Sequence, residues 1–130
     1  MMTNKRQQDY TCAMEAALRV ISGKWKLGIL SQLLTGAKRY SEINKKIPGI
    51  TEKMLTQQLR ELEEDMIVKR KIYPEVPPRV EYSFTELGEE LTKILFELEI
   101  WGSHFLTATR ATGEEIRENA SCYTSTNTQV

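Results

Sequence analysis

Residues 51–84 read TEKMLTQQLRELEEDMIVKRKIYPEVPPRVEYSF. The first half carries helical spacing. Met54 or Leu55, then Leu59, Leu62 and Met66, fall on one side, and Glu52, Lys53, Thr56, Gln57, Arg60 and Glu61 on the other. Thr51 stands where a helix cap belongs. The second half carries a period of two. Val68, Arg70 and Ile72 alternate with Lys69, Lys71 and Tyr73, and Val80, Tyr82 and Phe84 alternate with Arg79, Glu81 and Ser83. Between them lies Pro74-Glu75-Val76-Pro77-Pro78, and Pro77 and Pro78, which lack an amide donor, belong at a hairpin tip. A polar-faced helix running at once into a stiff-tipped ribbon is the outline of a winged helix. Such a helix can enter a DNA groove while the ribbon reaches the backbone beside it.

Upstream, the apolar spacing of Met14, Ala17, Leu18 and Ile21 predicts a helix over about Thr11 to Ile21, broken by Ser22-Gly23. Trp25, Ile29 and Leu33 predict a second over Lys24 to Thr35, stopped by Gly36. In that stripe Trp25 reads as core. A short third helix is expected from Ser41, as its cap, to Ile47, with Tyr40, Ile43 and Ile47 buried. Pro48-Gly49 then turns the chain into the helix that runs from Thr51 to about Asp65. Helix, tight turn, helix between Tyr40 and Asp65 is a helix-turn-helix arrangement.

Downstream, Thr85 can cap a long helix. Leu87, Leu91, Ile94, Leu98, Trp101 and Phe105 step by 4 and 3 along it, and Leu95, Phe96 and Ile100 form a second apolar side. A helix apolar on two sides needs two layers of cover. A small winged helix offers one, so a second copy of the chain is the expected other. The expected class is mainly α with a small β-hairpin (α+β). Residues 1–10 are expected to be flexible, residues 11–120 to form the winged domain with its terminal helices, and the polar residues 121–130 to be a disordered tail.

The formal net charge of zero argues against a nucleic-acid partner, but the distribution argues for one. From Arg19 to Arg79 there are 13 Lys and Arg against 7 Asp and Glu, and from Val80 to Val130 there are 3 against 9. A locally basic surface attracts phosphate whatever the total charge. No secretory leader or membrane-length apolar run is present, and Cys12 and Cys122 make neither a disulfide scaffold nor a CxxC motif. The chain therefore reads as soluble and cytoplasmic. Metal-ligand spacing, a phosphate-binding glycine loop and paired catalytic motifs are lacking, so neither a metal, a cofactor nor an enzymatic activity is expected. The rivals are a Cys12–His104 thiol enzyme and a winged helix that binds protein instead of DNA.

Cys12, Gly23-Lys24-Trp25, Arg39-Tyr40-Ser41-Glu42-Ile43, Ile47-Pro48-Gly49-Ile50-Thr51 and Leu55-Thr56-Gln57-Gln58-Leu59-Arg60-Glu61-Leu62-Glu63 form an ordered set. Val76-Pro77-Pro78-Arg79-Val80-Glu81-Tyr82 and Thr85-Glu86-Leu87-Gly88 continue it. Over about residues 10–105 this set resembles the HxlR-type winged helix-turn-helix transcriptional regulators. The resemblance implies a homodimer on operator DNA, its interface built from the first and last helices. Here those helices supply Met14 and Leu18, and Leu91, Ile94, Leu98, Trp101 and Phe105. The resemblance also implies that a cysteine near the N-terminus can sense oxidants or electrophiles. One departure is Met66, where the family commonly has Gly.

The candidate DNA-contacting residues are Lys53, Thr56, Gln57 and Arg60 on the fourth helix, with Thr51 at its start, Arg79 on the ribbon, and Lys38 and Arg39 before the third helix. Lys and Arg suit phosphate or guanine, Gln suits adenine, and Thr suits a base edge or phosphate. Lys69 and Lys71 serve either DNA or edge protection of an exposed strand. Two reading helices related by two-fold symmetry would lie about 34 Å apart on a pseudo-palindromic site. Cys12, at a helix start where reactive thiols occur, is either a redox sensor or a small buried hydrophobe.

Overall fold

The computed structural model describes residues 12–110. In chain order the elements are α1 (Ala13–Ile21), α2 (Lys26–Leu33), β1 (Lys38–Arg39), α3 (Tyr40–Lys46), α4 (Glu52–Glu64), β2 (Val68–Tyr73), β3 (Arg79–Phe84) and α5 (Glu86–Thr109). The expected start of the first helix at Thr11, Cys122 and the expected tail lie outside the described residues. Among the described residues no helix is long and apolar enough to cross a membrane.

The core forms where the apolar stripes of α2, α3 and α4 meet the sheet. Ile29, Leu30 and Leu33 of α2, Ile43 of α3, and Leu55, Leu59 and Leu62 of α4 are buried together with Val68, Tyr82 and Phe84 of the ribbon. Gly36, at φ 124°, and Gly49, at φ 83°, turn the chain after α2 and before α4. These left-handed conformations suit a residue without a Cβ. Trp25 packs half-buried against the core, as its stripe predicts.

The sheet has three antiparallel strands in the order β1-β3-β2, where only the hairpin was expected. Lys38 pairs with Tyr82 and Arg39 with Glu81. A two-residue strand is too short to show alternation, so nothing in its spacing could reveal it. The hairpin pairs Val68 with Phe84 through Tyr73 with Arg79. Residues 74–78 form its tip.

Two local expectations are corrected. The cap of α3 is Arg39, not Ser41, because the extended backbone of β1 ends at Arg39 and Ser41 already lies inside the helix. The Arg39 amide donates to Glu42 Oε1 at 2.8 Å. Met66 does not belong to the inner side of α4. It is 67% exposed at φ 63°, the left-handed residue that ends the helix. Its amide donates to the Glu63 carbonyl and that of Ile67 donates to the Leu62 carbonyl, both at 3.0 Å, which is a Schellman closure. Ile67 takes the buried place instead.

Thr85 fixes the start of α5. Its Oγ1 donates to the Met66 carbonyl at 2.6 Å and accepts from the Gly88 amide at 3.0 Å. Gly88 is buried where a Cβ would collide with the Ile67 carbonyl oxygen and the Phe84 ring. The first turn of α5 is thereby pressed onto the end of α4 and the root of the ribbon. Beyond it, Leu95 reaches the core at 1% exposure, while Ile94, Leu98, Trp101 and Phe105 are exposed. Trp101 and Phe105 stack on each other at 5.5 Å between ring centroids. Helix α1 buries no residue, and Met14 and Leu18 are exposed.

Candidate nucleic-acid interface

Helix α4 lies between a buried side and an open side. Thr51 Oγ1 accepts from the Met54 amide at 3.1 Å and fixes the helix start. Leu55, Leu59 and Leu62 anchor the inner side, so Lys53, Thr56, Gln57 and Arg60 are all exposed. Two cations and two hydrogen-bonding side chains therefore share one free helical surface. That set can meet phosphates through Lys and Arg and base edges through Gln and Thr.

Two of these side chains are braced from behind. Thr56 Oγ1 lies 2.9 Å from the Tyr40 hydroxyl, which also donates to the Glu52 carbonyl at 2.9 Å. Tyr40 is half-buried, and its ring packs against the core as expected while its hydroxyl reaches α4. Gln57 Nε2 donates to Glu61 Oε2 at 3.1 Å. The other oxygen of Glu61 accepts from Lys26 Nζ at 2.7 Å, and the Lys26 side chain is only 7% exposed. Glu61 was expected on the outer side of α4. It turns inward instead, because a buried ammonium on α2 draws the carboxylate. A buried lysine at the head of an apolar stripe leaves no periodic signal. Lys26, Glu61 and the hydroxyl of Tyr40 thus support that surface, and sequence spacing does not find them.

The ribbon presents Lys69, Lys71, Tyr73, Arg79 and Glu81 on one face, by register. Lys69 and Lys71 are exposed. Arg79 is half-buried and occupied. It pairs with Glu75 at 3.0 Å, approaches Glu81 at 3.6 Å, and lies 4.0 Å over the Tyr73 ring. The contact to Glu81 is too long for a hydrogen bond and acts only as an ion pair. Arg79 therefore holds the two ribs of the wing together, and reaching a phosphate requires it to release Glu75. Lys38 likewise folds back, donating to Thr35 Oγ1 at 2.8 Å at the carboxyl end of α2. Arg39 is exposed beside the start of α3.

Cys12 is the cap of α1, its Sγ accepting from the Glu15 amide at 3.4 Å. It is exposed.

A family model described as HxlR-like helix-turn-helix matches residues 20–110. The chain is 51% identical over 107 residues to YkvN of Bacillus subtilis (strain 168), described as an uncharacterized HTH-type transcriptional regulator, covering 82% of this chain and 91% of that one. Among solved structures it resembles the redox regulator HypR in its reduced form, with a TM-score of 0.71 and 43% identity, covering 77% of this chain and 99% of that one. It also resembles diamide-treated YodB of Bacillus subtilis, with a TM-score of 0.65 and 38% identity over 73% of this chain and 95% of that one. The winged arrangement and these matches agree: the chain belongs to the HxlR-like helix-turn-helix family of transcriptional regulators.

Proposed function

We propose that this protein is a homodimeric, sequence-specific DNA-binding transcriptional regulator of the cytoplasm. The observation that carries the reading is the free surface of α4, where Lys53, Thr56, Gln57 and Arg60 stand exposed on a helix whose other side is locked into the core. Helix α4 enters the major groove, Gln57 and Thr56 meet base edges, and Lys53, Arg60 and Arg39 meet phosphates. The helix start at Thr51 offers unpaired amides to a further phosphate. The wing lies along the backbone, with Lys69 and Lys71 in reach of it. Lys38 and Arg79 join the contact by exchanging their present partners for phosphate.

Dimerisation follows from the uncovered apolar surface. Met14 and Leu18 of α1 and Ile94, Leu98, Trp101 and Phe105 of α5 are each more than two-fifths exposed. With Leu91 on α5, they supply the apolar surfaces of α1 and α5 that a second copy covers. The operator is then pseudo-palindromic, its half-sites about one helical turn apart. Cys12, exposed on the helix that joins the interface, is the site at which oxidants or electrophiles alter the pairing of the two reading heads. The relatives HypR, named a redox regulator, and YodB, solved after diamide treatment, favour this control.

Selection of a duplex from a random library tests the reading. Gln57→Ala is expected to relax base preference at one position per half-site by about 1–3 kcal/mol, while Arg60→Ala weakens all sequences alike. An equal loss on operator and random DNA removes Gln57 from the reading surface. Diamide is expected to change operator affinity of the wild type and not of Cys12→Ser. An unchanged response in that variant eliminates the thiol switch.

A further inference from the structure

Proton counting at the Tyr40–Thr56 contact decides which hydrogen-bond polarity the reading helix shows to a base. The Tyr40 hydroxyl has one hydrogen and touches two oxygens. One is the Glu52 carbonyl at 2.9 Å, which can only accept. Tyr40 therefore donates to Glu52. The second contact, to Thr56 Oγ1 at 2.9 Å, then forms only if Thr56 donates to the tyrosine oxygen. The single proton of Thr56 is committed inward, and its Oγ1 faces outward with lone pairs alone.

We propose that Tyr40 is a positioning residue that makes Thr56 an acceptor, so that Thr56 reads an exocyclic amino group in the major groove: N6 of adenine or N4 of cytosine. This rests on α4 being the reading helix. A threonine with a free proton would serve a phosphate, guanine O6 or thymine O4 equally well. Tethering to Tyr40 removes that choice before DNA arrives. The tether runs from the first residue of α3 to the middle of α4, so the helix-turn-helix itself holds the setting. A phosphate in front of Thr56 would meet acceptor against acceptor.

The test uses the full-length protein and the operator it selects. Wild type, Tyr40→Phe, Thr56→Val and the double variant are compared, with Thr56→Ser as the variant that keeps the hydroxyl. The base pair whose preference vanishes in Thr56→Val marks the contact. There, adenine is replaced by purine, or cytosine by 2-pyrimidinone, to delete the amino group, and in a second duplex the purine N7 is replaced by CH to delete an acceptor. Wild type and Thr56→Ser are expected to lose about five-fold in affinity on amino deletion, the size of one hydrogen bond, and nothing on N7 deletion. Thr56→Val and the double variant are expected to lose nothing on amino deletion, whereas Tyr40→Phe, whose Thr56 keeps its lone pairs and regains a free proton, is expected to accept guanine or thymine at that place nearly as well as the amino-bearing base. A purely structural role for Tyr40 would instead weaken every duplex alike.

The inference is overturned if wild type responds to N7 deletion and not to amino deletion. It is equally overturned if Thr56→Val weakens all sequences evenly, or if Tyr40→Phe discriminates against guanine or thymine at that place as strongly as the wild type. Failure of the wild type to select any sequence would instead sink the DNA-binding reading itself, so the two failures are distinguishable.

Discussion

Lys26→Met is the most searching substitution behind the open side of α4. It keeps the apolar stem and removes the ammonium. What is lost is a 2.7 Å charge-assisted bond between a side chain 7% exposed and one 23% exposed. An exposed pair would contribute about 1 kcal/mol or less. Removing one partner of a fully buried pair costs about 3–5 kcal/mol. The ammonium is shielded but the carboxylate keeps contact with water, so the cost falls between these limits, at about 2–3 kcal/mol. Glu61→Leu is expected to cost at least as much, because it leaves the better shielded charge without that carboxylate. Lys26→Met/Glu61→Leu replaces the pair with apolar groups and is expected within about 1 kcal/mol of wild type. Urea unfolding at fixed protein concentration reads all three, the fixed concentration being needed because dimerisation adds to stability. The reasoning is refuted if Lys26→Met costs under about 0.5 kcal/mol, or if the double variant loses the sum of the singles.

Three further outcomes follow from the fold. Met66→Gly is expected to raise the urea midpoint by about 1 kcal/mol in stability, since relief of left-handed strain exceeds the added freedom of the unfolded chain; a lower midpoint would mean that the exposed Met66 side chain makes a stabilising contact. Gly88→Ala is expected to lower stability by about 1–3 kcal/mol, because the new Cβ must displace the Ile67 carbonyl or the Phe84 ring; an unchanged melting temperature would show that the start of α5 yields freely. Burial, with the nearby Glu63 carboxylate, holds the Tyr82 phenol above its ordinary value of 10.0. The folded state thus keeps the proton that the unfolded chain releases. The corresponding stability is intact below about pH 10 and is lost as pH rises through the folded value. Tyr82→Phe is expected to flatten that alkaline decline, and an equally steep decline in the variant would assign it to other groups.

Where periodicity carried the information, the sequence was readable. The 4 and 3 steps of Leu55, Leu59 and Leu62 placed the inner side of α4, and the alternation of Val80, Tyr82 and Phe84 placed the inward face of β3. Thr51 and Thr85 capped the helices they were expected to cap. What stayed hidden was non-periodic. Met66 looked like one more step of an apolar stripe, and only the backbone at φ 63° turned it outward. β1 was too short for any pattern. The pairing of Glu61 with Lys26 spans 35 residues, and no local spacing reports such a bond. The same holds for the wing: Arg79 was legible as a cation beside a proline tip, but its engagement with Glu75 and Tyr73 depends on a hairpin register visible only in three dimensions. Side-chain chemistry was thus readable, and the partners that tune it were not.

Binding of the full-length protein to its selected duplex, followed by fluorescence anisotropy from 50 to about 300 mM salt, decides whether two copies read DNA through α4. Two chains per duplex are expected, with a linear fall of log affinity with log salt whose slope becomes shallower by about one for each phosphate contact removed in Lys53→Ala and Arg60→Ala. One chain per duplex, or a salt slope unchanged in both variants, would contradict that reading.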